Sequence, residues 1–152
     1  RNLRASRAHG PENSTGTSAM TARFFSDTNI VVYALDSDSS KRQRALAVLR
    51  RSPVISVQVV NEFLNVLLNK QRLERTKANR LAQILLRRCE VVPLTAMIVT
   101  DAMRLGERYQ LSHWDALIVA SAISAGCETL YSEDMQDGQI FEGQLTVLNP
   151  LV

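Results

Sequence analysis

The chain has 152 residues, is 45% hydrophobic and carries 18 basic against 15 acidic residues, for a net charge of +3. That length and apolar content suit one ordinary domain with its own core, and apolar stretches such as residues 116–120 fall far below the roughly 20 residues of a membrane span. Residues 1–19 hold Arg1, Arg4 and Arg7 against Glu12, so the remainder is nearly neutral and bulk charge is no argument for a nucleic-acid partner.

Residues 1–19 are rich in Ser, Gly, Asn, Thr and Arg without hydrophobic periodicity. They read as a disordered extension ahead of a domain over residues 20–152, with Met20 as a candidate start. Gly16 is followed by Thr17 and Ser18, so the Gly-Lys-Ser/Thr element of a phosphate loop is missing. No apolar leader segment is evident, and Cys89 and Cys127 match no metal or redox spacing; the expectation is a cytoplasmic protein with reduced thiols. From Met20 onward strands and helices alternate. Hydrophobic spacing predicts a strand over 23–26, helices over 28–35 and 39–51, a strand over 53–55, and a helix over 57–70 with Val60, Phe63, Leu64 and Leu67 on one stripe. A helix over 76–88, a short strand at Val91 and Val92, a helix over 96–109 and a very apolar helix over 113–125 follow. A strand over 129–131, a polar turn and a last strand over 145–148 complete the chain. Short links between alternating elements predict a mostly parallel α/β sheet covered by helices on both faces.

Four carboxylates stand out against that pattern. Asp27 directly follows the first strand, at the carboxyl end where open α/β sheets place ligands; as an isolated residue it is an N-cap. Glu62 lies beside the apolar stripe of its helix, where a solvated helix edge is the plainer explanation. Asp115 opens the apolar helix and is expected to be buried, which is costly for an unpaired carboxylate; Ser112-x-x-Asp115 also fits a capping box. Asp134 follows the strand at 129–131, with Glu133 and Asp137 as competing neighbours in a polar turn. Two acids at strand ends and two on helices packed beside them would meet in one crevice. Crowded like charges raise one another's pKa, so a cation is the reason to gather them. Oxygen-only ligands favour Mg²⁺ or Mn²⁺ over Zn²⁺, and neither His9 nor His113 has a partner for a histidine site.

Asp27-Thr28-Asn29-Ile30, Asn61-Glu62-Phe63, Trp114-Asp115-Ala116-Leu117-Ile118-Val119-Ala120 and Leu130-Tyr131-Ser132-Glu133-Asp134-Met135 resemble, in order and spacing, the acidic motifs of the PIN-domain family. The chain is most similar to the VapC-type toxins of VapBC toxin–antitoxin pairs, over about residues 22–150. The resemblance implies a PIN-like three-layer α/β/α fold and a Mg²⁺- or Mn²⁺-dependent endoribonuclease that forms a homodimer and is inhibited by a VapB-like antitoxin. Carried over, Asp27 and Asp115 are direct metal ligands, Glu62 and Asp134 complete the catalytic shell directly or through water, and Asn29 and Ser132 orient the carboxylates. Lys41, Arg42, Arg44, Arg72, Arg75, Lys77 and Arg80 are candidates for attracting RNA phosphates, against the reading of charge runs as solvated helix faces.

Rival readings fit less well. A haloacid-dehalogenase-type phosphotransferase needs a second Asp where Asn29 stands, a response-regulator receiver needs paired acids and a strand-end Lys, and a Ser hydrolase needs a Gly-x-Ser-x-Gly elbow. The remaining alternative is a non-catalytic PIN-like module that binds RNA or protein. Removal of residues 1–19 is expected to leave both melting temperature and RNA cleavage unchanged, because that segment offers neither apolar surface to bury nor a candidate ligand. Thermal melts and cleavage assays of a chain starting at Met20 check this.

Overall fold

Strand β1 (Phe24–Ser26) is buried along its whole length, as a central parallel strand must be when helices cover both faces. The computed structural model describes residues 22–152; the expected extension over 1–19 and the start at Met20 lie outside the described residues. Successive side chains of a strand point to opposite faces. Phe24 therefore joins a cluster with Ile30, Ala34, Ala45, Val48 and Leu151, while Phe25 joins the larger core with Ile55, Val59, Leu67, Leu105, Val119 and Leu130.

Helix α1 (Thr28–Tyr33) leaves β1 directly, and α2 (Ser39–Arg50) follows, capped by the Asp38 carboxylate on the amides of Ser40 and Lys41. Strand β2 (Val54–Ser56) passes into α3 (Val57–Asn65), where buried Ser56 accepts from the Val59 amide. The helix expected to run on to residue 70 instead widens into a π-helical turn over Val66–Lys70. The Gln71 amide reaches back to the Val66 carbonyl at 2.9 Å. Apolar spacing cannot reveal such a change, because Leu67 stays fully buried across it. Helix α4 (Arg75–Arg88), β3 (Glu90–Val92), α5 (Ala96–Tyr109) and α6 (His113–Ser124) come next, followed by β4 (Thr129–Tyr131), β5 (Ile140–Phe141) and β6 (Leu145–Leu148).

The six strands form one sheet in the order β3-β2-β1-β4-β6-β5. All neighbours are parallel except β5 and β6, and helices flank the sheet, which is the expected α/β/α architecture. Strand β5 lies within the expected polar turn. Glu142 and Gly143 both have positive φ, and the Gln144 amide closes onto the Phe141 carbonyl at 3.0 Å, a tight hairpin for which an acidic residue followed by glycine is a suitable signal. Arg104 and Arg108 of α5 both bind the Glu142 carboxylate, and the Glu142 amide donates to the Tyr109 hydroxyl at 2.9 Å.

The chain runs from β1 to β2 and β3 on one side, then returns to place β4 on the other side of β1. The carboxyl ends of β1 and β4 thus flank a topological switch point, where neighbouring connections diverge and leave a crevice. Cys89 is half-buried and Cys127 buried, both unbridged, and burial pushes both thiols up to about 11. Among the described residues no helix is long and apolar enough to cross a membrane.

Candidate active site

Asp27 is the first residue past β1. Its amide donates to the Tyr131 carbonyl of β4 at 2.9 Å, which fixes the backbone in the switch-point crevice. One carboxylate oxygen accepts from the Thr28 amide at 2.7 Å as the cap of α1, and the other accepts from the Ser132 hydroxyl at 2.8 Å. The capping role expected of an isolated Asp is therefore real, and it coexists with membership of the cluster. Only 6% of Asp27 is exposed. Burial pushes its carboxyl from the usual 3.8 up to about 6, against the pull of Ser132 and Thr28, and the charges of Asp115 and Glu62 act in the same upward direction.

Ser132 is fully buried at the end of β4. Asn29, on the first turn of α1, donates its amide to Asp134 at 3.0 Å and accepts from the Glu133 amide at 3.3 Å. Of the acids of this turn, Asp134 is the one bonded to Asn29. Glu133 lines the same cleft but is ion-paired with Lys41 at 3.3 Å, and Asp137 accepts from the Asn149 amide at 2.8 Å. Glu62 is gripped on both oxygens, by the Thr28 hydroxyl at 2.5 Å and by the Gln58 amide at 2.8 Å.

Asp115 departs from expectation. It is half-buried rather than buried, because α6 starts at the protein surface with Ser112, His113 and Trp114 all exposed, and burial begins only at Ala116. The Ser112 hydroxyl accepts from the Asp115 amide at 3.2 Å; among the described residues the reciprocal bond of a capping box, from the Ser112 amide to the Asp115 carboxylate, is not formed. Burial raises the Asp115 pKa, the side-chain hydrogen bond with Ser112 opposes this, and the charges of Asp134 and Glu62 raise it further. Asp27 thus feels the charges of Asp115 and Glu62, and Asp115 those of Asp134 and Glu62. Among the described residues none of them is ion-paired to a Lys or Arg, and no three acidic, His or Cys side chains already stand as a finished metal cage.

Thr28 and Gln58 are contacts that the sequence reading passed over. Gln58 stands one helical turn before Glu62, the i, i+4 spacing at which side chains on one helix meet. Lys70, also passed over, lines a cleft of about 500 Å³ together with Asn29, Glu62 and Asp134. Of the basic residues singled out from the sequence, Lys41 contacts the acid-bearing turn through Glu133, whereas Arg42, Arg44, Arg72, Arg75, Lys77 and Arg80 are solvent-exposed.

A family model described as PIN domain matches residues 24–136, which hold all four acids. The chain belongs to the PIN-domain family. Solved PIN-fold structures share the architecture. A toxin–antitoxin complex from Klebsiella pneumoniae is 24% identical with a TM-score of 0.64, over 86% of this chain and 98% of that one. The VapC20 toxin of Mycobacterium tuberculosis, described as cleaving the sarcin-ricin loop, is 23% identical with a TM-score of 0.59, over 73% and 89%. FitAcB from Neisseria gonorrhoeae is 22% identical with a TM-score of 0.61, over 84% and 97%. No curated protein sequence matches the chain.

Because the folded PIN domain holds a proton on Asp27 up to about pH 6 and the unfolded chain releases it near 3.8, the contribution of Asp27 to stability is fully present below about 3.8 and is lost as pH rises through about 6. This single group accounts for a loss on the order of 3 kcal/mol. Asp27→Asn, which keeps a capping side chain, is expected to remove most of that dependence in metal-free protein. Urea unfolding of both proteins from about pH 4 to 7 is the check; parallel pH profiles would contradict the assignment.

Proposed function

We propose that this PIN domain is a divalent-metal-dependent endoribonuclease and the toxin of a toxin–antitoxin pair. The observation that carries the reading is the meeting of Asp27, Glu62, Asp115 and Asp134 at the β1/β4 switch point with no basic side chain ion-paired to any of them among the described residues. An oxygen-only donor set fits a hard dication, Mg²⁺ or Mn²⁺. Asp27 and Asp115 would hold it directly, and Glu62 and Asp134 would complete the shell directly or through water. A bound dication would supply an attacking water of lowered pKa and stabilise charge on the leaving oxygen.

The chain's own residues prepare that chemistry. Ser132 and the Thr28 amide hold the two Asp27 oxygens in fixed directions, Asn29 ties Asp134 to α1, and Thr28 with Gln58 fixes Glu62. Each holds its carboxylate with neutral donors, which orient it without cancelling the charge that a cation needs. The fold shared with a toxin described as cleaving the sarcin-ricin loop supports RNA cleavage as the reaction.

Solved relatives in complex with antitoxins support the same kind of partner here. An apolar cleft of about 250 Å³ between α1, α2 and α4 is lined by Val31, Leu35, Leu46 and Ile84, with Arg50 and Arg88 at its edge. It suits an amphipathic helix carrying acidic residues. A basic side chain of the same partner would reach the acidic site and compete with the metal. A homodimer, implied by the resemblance, belongs to the same reading.

Asp115→Asn distinguishes a metal ligand from a mere capping residue. As a member of a repelling cluster, the variant should melt higher than wild type without metal, gain little from added Mg²⁺ and cleave RNA about a hundredfold more slowly or worse. As a cap alone, it should lose up to about 1 kcal/mol and cleave normally. Melts and cleavage assays with and without Mn²⁺ also separate an enzyme from a binding module. For the partner, Ile84→Arg is expected to weaken capture by the antitoxin about tenfold in a binding titration, with RNA cleavage by the free toxin as the control for folding.

A further inference from the structure

Trp114 is the only tryptophan of the chain, and it is 64% exposed although it immediately precedes Asp115. Its indole forms one wall of an open cleft of about 450 Å³, within the size range of small-ligand sites. The cleft is completed by Val57 and Leu94 and by the amide-bearing side chains of Gln58, Asn61 and Asn65, together with Glu62 of the acidic cluster. Edge-on contact with His113, at 5.6 Å between ring centres, is the one aromatic neighbour of the indole among the described residues.

Three observations bear on what this cleft receives. Glu62 and Asn65 line both this cleft and the one that holds Asn29, Asp134 and Lys70, so the two lie on either side of the same carboxylate. The cleft that the indole lines is rich in carboxamides. Asn61 is exposed and makes no side-chain hydrogen bond among the described residues, whereas Gln58 gives its amide to Glu62 at 2.8 Å and its unpartnered carbonyl oxygen is buried. An aromatic plane beside free amide donors and acceptors is the surface with which proteins receive unstacked nucleobases: the ring stacks and the amides bond the base edges. An apolar protein contact would leave those amides unpaired at a cost.

We infer that Trp114 is a base-stacking platform, and that the cleft around it receives the nucleobase adjoining the phosphate held at the acidic cluster, with Asn61 reading the base edge. The inference rests on the ribonuclease reading above. A strand crossing Glu62 would then place its next nucleotide in the cleft with Lys70, whose ammonium can neutralise a phosphate. Single-stranded RNA is required, because a base stacked in a duplex cannot reach the indole.

The test uses the lone indole as its own reporter. Tryptophan fluorescence of the full chain in Ca²⁺, a hard dication that takes oxygen ligands, is expected to change on titration with a short single-stranded oligoadenylate and to stay constant with an abasic ribose-phosphate strand of equal length. In Mn²⁺, Trp114→Leu should raise KM for single-stranded RNA about tenfold with kcat little changed, and Trp114→Phe should restore most of the loss. Both substitutions lie at an exposed position, so folding is retained, and melting temperatures verify it. A fluorescence signal indifferent to RNA overturns the inference whether or not the protein cleaves. So does a signal that responds only to protein dilution, with Trp114→Leu altering subunit association and leaving KM unchanged, because the cleft then belongs to a second copy of the chain. Base-dependent fluorescence in a protein that cuts no RNA supports the subsite and refutes the catalytic reading alone.

Discussion

Repulsion among carboxylates gathered in one crevice is the constraint around which this PIN domain is built. Burial and the neighbouring negative charges push the Asp27 carboxyl up to about 6, and the same two causes raise Asp115. An isolated chain would not choose that arrangement, because each carboxylate loses hydration and gains repulsion. Sheet order imposes it. The strand sequence β3-β2-β1-β4-β6-β5 sets the carboxyl ends of β1 and β4 side by side, and the Asp27 amide is tied to the Tyr131 carbonyl across them.

Neutral donors make the arrangement tolerable while leaving its charge intact. The Ser132 hydroxyl, the Thr28 amide and hydroxyl, and the carboxamides of Asn29 and Gln58 occupy the carboxylates from behind. Basic residues are kept on other duties: Lys41 on Glu133, and Arg104 and Arg108 on Glu142. A Lys or Arg placed among the four acids would relieve their repulsion, and its absence from the salt bridges of the described residues leaves their charge uncancelled.

Helix α1 links the surfaces. Its first turn carries Thr28 and Asn29 into the acidic network, Val31 on the same short helix lines the apolar cleft between α1, α2 and α4, and Leu35 in the turn that follows the helix lines it too. A partner seated in that cleft would lie within one short helix of the acidic cluster. On the far side of Glu62, α6 begins with exposed Trp114 and passes at once into the buried run from Ala116. The same helix thus anchors the core and presents an aromatic ring beside the acids.

Much of this was legible in the sequence, for local reasons. Alternation of buried strands such as Phe24–Ser26 with amphipathic helices specified the α/β class, and the acids after strands, Asp27 and Asp134, were marked because strand ends in parallel sheets open toward ligands, whereas Asn29 and Ser132 were marked only by the family resemblance. Local patterns failed where long-range contacts decide. The widening at Val66–Lys70 preserves the apolar stripe and so leaves no trace in it, and β5 is too short to show a period and exists through pairing with β6. Which acid of Glu133, Asp134 and Asp137 is tied to α1 and left without an ion pair depended on Asn29 and Lys41, about a hundred residues away in the chain. The half-exposure of Asp115 depended on where α6 emerges from the core. Periodicity along a chain reports which side of an element is apolar. It carries no information on which elements become neighbours, and the electrostatics of this site arise only between neighbours.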